Sequence, residues 1–193
     1  LEEYKDHFTE TTMPWGDVYQ IADPETPQQY NRLDRYRLRW MDTVYEPGEL
    51  RVVAYDDEGH EAAEEVIHTA GWPHHIELSV DRQIIDCLPV DSEGLALDTP
   101  DLAFITAYVV DRDGNLCPDA DNLLSLKISG KSIAFNSCCN GDATSTEVFT
   151  SPALHCFKGK AVFVVEAKSI TGASCVSISS KGLHTGSIIV GVQ

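Results

Sequence analysis

The sequence predicts an all-β chain: an immunoglobulin-like β-sandwich over residues 72–193, preceded by a second, small β-domain within residues 1–71. Three observations predict it. Apolar and polar residues alternate with a period of two in one short run after another. Gly, Pro, Asn and Asp punctuate the runs at short intervals. No segment of the 193 residues carries a convincing helical pattern.

Residues 1–34 are polar and irregular, with Pro14, Pro24 and Pro27, and read as a long loop or orphaned segment. Order begins at Arg35. Tyr36, Leu38 and Trp40 alternate with Arg35, Arg37 and Arg39, the pattern of a half-buried antiparallel strand. Glu46–Glu49 is a turn, Leu50–Tyr55 a second strand, and Asp57-Glu58-Gly59 a hairpin turn with glycine at the left-handed position. Glu61–Thr69 reads as a third strand or a short helix, since Ala62, Ala63, Glu64 and Glu65 are poor strand formers, and the strand-turn-strand context favours the hairpin. Ala70-Gly71-Trp72-Pro73 marks the joint between domains, with Trp72 expected to wedge them together.

Beyond the joint, Ile76, Leu78 and Val80 alternate. Asp101–Asp111 is a continuous apolar run, as for a strand buried on both faces. Asp113-Gly114-Asn115 turns the chain, and Leu124, Leu126 and Ile128 then alternate with Ser125, Lys127 and Ser129. Lys160–Lys168, Ser174–Ser180 and Ser187–Val192 supply the later strands. About seven strands in this length fit the immunoglobulin-like sandwich.

The net charge of −17 repels phosphate backbones and anionic lipid headgroups, so nucleic acid and membrane surfaces are excluded as partners. No apolar run is long enough to span a bilayer as a helix. The start at Leu1 lacks the features of a signal peptide and reads as a cut within a longer chain. Six cysteines, Cys87, Cys117, Cys138, Cys139, Cys156 and Cys175, show no paired zinc-ligand spacing. They read as small buried hydrophobes or as one to three disulfides. On a strand, Cys138 and Cys139 would point to opposite faces.

Several stretches in order carry a family resemblance. Asp101-Leu-Ala-Phe-Ile-Thr106, Val109-Val-Asp-Arg-Asp-Gly114, Pro118-Asp-Ala-Asp-Asn122, Asn140-Gly-Asp-Ala-Thr-Ser145 and Phe157-Lys-Gly159 together resemble the C-terminal immunoglobulin-like domain of family 2 glycoside hydrolases, particularly bacterial β-galactosidase-like members. Cys139 and Ala143 depart from the Gly and Pro usual in that turn. Upstream, Tyr36–Trp40, Tyr45–Leu50 and Val53–Tyr55 resemble the later part of the preceding small β-domain in those enzymes, whose earlier strands are missing, so that domain reads as truncated. The resemblance implies a parent that is a retaining glycosidase, located in the periplasm or outside the cell. Its catalytic barrel would be the first partner of these modules, with galactosides or plant and host glycans as further ones. An open strand edge in the partial domain makes homo-oligomerisation an expectation.

Retaining hydrolysis needs two carboxylates about 5–5.5 Å apart, at the C-terminal face of a (β/α)₈ barrel of about 250 residues. A 193-residue β chain has no room for that barrel, so no catalytic residue is assigned. No cofactor or metal is expected. His74-His75 would be split to opposite strand faces. Asp111-x-Asp113-Gly114-Asn115 is better explained as a turn than as a calcium loop. Ser137, Ser145 and Ser151 lack a nucleophile elbow. Trp40 belongs to a core face, leaving Trp15, in a polar loop, as the candidate sugar-stacking residue.

Overall fold

The computed structural model describes residues 44–193 and two short strands, β1 (Thr11–Thr12) and β2 (Val18–Tyr19), which pair antiparallel. Arg35–Met41, Trp15 and Trp40 lie outside the described residues. Cα proximity divides the chain into two compact units, Leu1–Glu46 and Pro47–Gln193.

The second unit opens with an antiparallel hairpin of β3 (Glu49–Tyr55) and β4 (Glu61–His68). The turn is built by Asp56, whose carboxylate accepts the backbone N–H of Glu58 and of His60 at 2.9 and 2.8 Å. Gly59 takes the left-handed conformation at φ 85°. A bulge between Ala54 and Tyr55 accommodates the extra residue there. Arg51 pairs with Glu64 across the strands, which offsets the low β propensity of the Glu64-Glu65 stretch.

Nine strands follow: β5 (His75–Val80), β6 (Ile84–Ile85), β7 (Leu102–Val110), β8 (Leu123–Ser129), β9 (Ile133–Cys139), β10 (Ala153–His155), β11 (Lys160–Ala167), β12 (Gly172–Ser179) and β13 (Gly186–Val192). They form a four-stranded sheet in the order β5-β7-β11-β9 and a five-stranded sheet in the order β10-β8-β12-β13-β6. Every pairing is antiparallel except β13 with β6. No helix occurs among the described residues.

One apolar cluster draws on the inner faces of both sheets, which makes the pair a sandwich. From the four-stranded sheet come Ile105, Val109, Phe163 and Val165, and from the other Leu124, Val176, Ile178 and Val190, each at 0% exposure. Burial of each large aliphatic side chain contributes about 1.5–3 kcal/mol. Two buried hydroxyls, Ser132 and Ser174, satisfy each other at 2.7 Å.

Three expectations are corrected. β7 is fully buried along one face only: Ala103, Ile105, Ala107 and Val109 are inside, whereas on the other face Phe104 is 45% exposed, Thr106 and Tyr108 are half-buried, and only Val110 at the strand's end is buried. A continuous apolar run reports affinity for burial on both faces, and no described element covers the second. Nine strands replace about seven. Three strands were missed, β6, β9 and β10, and the longest of them, β9, has its alternation broken by a register shift opposite Val164/Val165. Ile133 and Cys138 both point inward although they stand five positions apart, an odd step, so no fixed two-residue period runs through the segment. Trp72 is not wedged among the described residues, since it is 91% exposed.

Candidate functional site

The joint preceding β5 is organised by Asp111, at the end of β7. Its carboxylate accepts backbone N–H groups from Gly71 at 2.7 Å, Asp113 at 2.9 Å and Asn115 at 2.8 Å, and the Asn115 amide at 3.1 Å. These donors, the Gly71 N–H foremost, hold its pKa down at about 2. The lone pairs that would face a calcium ion are already engaged with the protein, so Asp111-x-Asp113-Gly114-Asn115 is a turn. Gly114 supplies its positive φ of 86°.

Beside this turn three imidazoles meet. His74 Nδ1 lies 3.1 Å from His75 Nδ1, and the His74 ring centroid is 4.7 Å from that of His184. The backbone brings His184 there: its N–H donates to the His74 carbonyl at 3.0 Å, and its carbonyl accepts from Ile76 at 3.1 Å. His75 also contacts Glu77 at 3.3 Å. The adjacent pair is therefore not split to opposite faces. His74 precedes β5, so strand alternation does not govern its ring. Burial lowers the His74 pKa, and the neighbouring His184, His75 and Arg112 lower it further, against Asp111. No group of three or more His, Cys, Asp or Glu among the described residues is disposed to hold a metal ion.

The serines have no general base. Ser137 donates to Asn136, and Ser151 accepts from the Ala153 N–H. Ser145 comes nearest to a catalytic grouping, which the sequence did not disclose. It bonds Glu147 at 3.4 Å, and Glu147 bonds His155 Nδ1 at 2.8 Å. A hydrolase triad requires the imidazole between hydroxyl and carboxylate, and here the carboxylate is between them. His155 also lowers the Glu147 pKa, which fixes that residue as an anion. The arrangement is structural: it ties the Asn140–Ser145 turn to β10, together with the Asn140 amide on the His155 carbonyl at 3.0 Å. Gly141 takes its expected positive φ, 79°.

None of the six cysteines forms a disulfide. Cys138 is buried and Cys139 exposed, as alternation requires. Burial raises the pKa of Cys117 and Cys138, and raises Cys156 to about 11, so none of these three is an activated nucleophile. Trp72 is the most exposed large aromatic side chain described. Phe157, 40% exposed, carries the Lys158 ammonium 6.0 Å from its ring centroid.

The fold and these geometries define a class first: a β-sandwich domain whose polar groups are spent on its own turns. Comparison with known proteins supplies the family. Residues 87–189 match the model of glycoside hydrolase family 2 C-terminal domain 5, and the chain belongs to that family. Residues 23–63 match a domain of unknown function, DUF4982. The chain is 35% identical over 152 residues to the β-galactosidase BoGH2A of Bacteroides ovatus, covering 79% of this chain and 16% of that protein. Two solved structures of glycosyl hydrolase family 2 members from Bacteroides cellulosilyticus align with TM-scores of 0.66 and 0.67, at 26% and 28% identity. They cover 78% and 84% of this chain and 18% and 21% of those chains. A β-glycosidase of Bacteroides vulgatus, at 22% identity and a TM-score of 0.66, shares the fold.

Proposed function

We propose that this chain is a non-catalytic accessory region of a larger β-galactosidase-like glycoside hydrolase, packing beside its catalytic domains during carbohydrate degradation. The observation that carries the reading is the match to a family 2 C-terminal domain over more than half of the chain, in a segment equivalent to 16% of a β-galactosidase. The geometry agrees: Asp111 and Glu147 are both held as anions by internal donors, and neither is poised as a general acid. An immunoglobulin-like topology and a location outside the cytoplasm belong to the same proposal. The test has two arms. The isolated chain should release no nitrophenol from a nitrophenyl β-galactoside, and the reading frame upstream should encode a (β/α)₈ barrel with paired strand-end carboxylates. Turnover by the isolated chain, or an upstream frame without a barrel, refutes it.

A carbohydrate-binding module is the second reading, favoured by the 91% exposure of Trp72. Sugar rings stack on such indoles through their apolar faces. Quenching of tryptophan fluorescence by galacto-oligosaccharide, lost in Trp72→Ala, would support it. Unchanged fluorescence would leave the accessory role alone.

A further inference from the structure

The outer face of the four-stranded sheet differs from an ordinary solvated sheet face. An antiparallel sheet with one side in water alternates apolar-in and polar-out. Here the outward positions of the two central strands, β7 and β11, carry Phe104, Thr106, Tyr108, Val162 and Val164. Phe104 is 45% exposed; cross-strand register places Val164, itself only 8% exposed, opposite it, and half-buried Val162 opposite Thr106. The apolar centre is bounded along β11 by charges of opposite sign, Lys160 at one end and Glu166 at the other. On β5 and just beyond it, Glu77 lies level with Tyr108, and Arg82 reaches the Asp101–Leu102 end of β7.

We propose that this face is the interface of a two-fold symmetric dimer of the chain. A two-fold axis lying between the sheets and perpendicular to the strands sets each strand antiparallel over its own copy. That operation places Lys160 over the second copy's Glu166 and stacks the Phe104–Val162 centre on itself, while Glu77 comes to the second copy's Arg82, whose guanidinium is already paired with Asp101 of its own chain. The charge pattern is thus self-complementary under one symmetry operation, as an isologous interface requires. It also answers the objection that two chains of net charge −17 repel. Lys160 and Glu166 give this face both signs, so contact here brings that unlike pair together twice. Four strands about 4.8 Å apart and seven residues long at about 3.3 Å each give a footprint of roughly 450 Å². Two copies bury about 900 Å² by that measure, below the standard size, so the dimer is weak and concentration-dependent.

Sedimentation equilibrium of the 193-residue chain from about 1 to 300 µM tests this. The mass is expected to climb from one chain toward two, with dissociation in the micromolar range. Phe104→Asp, or Thr106→Lys should the first variant lose its β circular dichroism, holds the mass at one chain. Ile189→Asp, which adds the same charge to the outer face of the other sheet, leaves association unchanged. Lys160→Glu weakens it about tenfold, because the symmetry repeats the pair twice, and Lys160→Glu with Glu166→Lys restores it. A single-chain mass at every concentration overturns the proposal and leaves the face to a different partner. Loss of association in Ile189→Asp but not in Phe104→Asp overturns it equally.

Discussion

Phe163 and Phe104 lie on adjacent strands of the same sheet, and the sandwich assigns them opposite fates. Phe163, at 0% exposure, sits on the inner face with Ile105 and Cys138 as its cross-strand neighbours. Phe104 is 45% exposed on the outer face. Replacing Phe163 by alanine removes a fully buried ring from an interior that relaxes only partly, which costs about 3–5 kcal/mol. At roughly 2–4 °C per kcal/mol for a domain of this size, the melting temperature falls by about 6–20 °C. Phe104→Ala leaves a half-solvated site and costs less than about 1.5 kcal/mol. Both variants should be melted by calorimetry at about 1 µM, where association does not contribute. Equal losses in the two variants would refute the assignment of inner and outer faces, because a core shared between the sheets cannot treat both rings alike.

Three further predictions follow from particular contacts. Asp111 and Asp101 have depressed pKa values, from backbone donors led by Gly71 in one and from Arg82 in the other. Their contribution is present above the ordinary carboxylate range near pH 4 and is lost as pH falls toward about 2; urea midpoints measured from pH 7 to 2 should drop in that window, and Asp111→Asn should flatten part of the drop. Gly159→Ala should destabilise by at least about 2 kcal/mol, since a Cβ there would stand 2.4 Å from the Cys117 carbonyl at a φ of +73°, read as a shifted urea midpoint. A thiol reagent should label Cys139 fastest and reach Cys117, Cys138 and Cys156 only in denaturant, followed by mass spectrometry of the adducts.

What the sequence disclosed followed physical rules that act locally. The β3–β4 hairpin was legible because Gly59 and the Asp56 side chain close its turn within five residues. The inward rows of β8 and β12 were legible because nothing interrupts their two-residue period. β9 was not, because a bulge opposite Val164/Val165 changes the phase midway, and a bulge is decided between strands. β6 and β10 escaped because two or three residues carry no period at all. At the joint, the Asp111 turn was readable from its spacing, but the meeting of His74 with His184 was not. Their approach depends on a parallel bridge between His75 and His184, more than a hundred positions apart in the chain. The Ser145–Glu147–His155 grouping escaped likewise, since the order of donors within it is settled by three-dimensional placement.

The parallel ladder between β6 and β13 sets a timetable for the molecule. β13 pairs with β12 on one side and with Ile84–Ile85 on the other, and Gln193 exchanges hydrogen bonds with Ile85 and Cys87. Of all the strands, β13 leaves the ribosome last. Until it emerges, Ile84–Ile85 has no ladder, and the buried side chains of Val190 and Val192 are absent from the core. The sandwich therefore closes only after synthesis has passed β13.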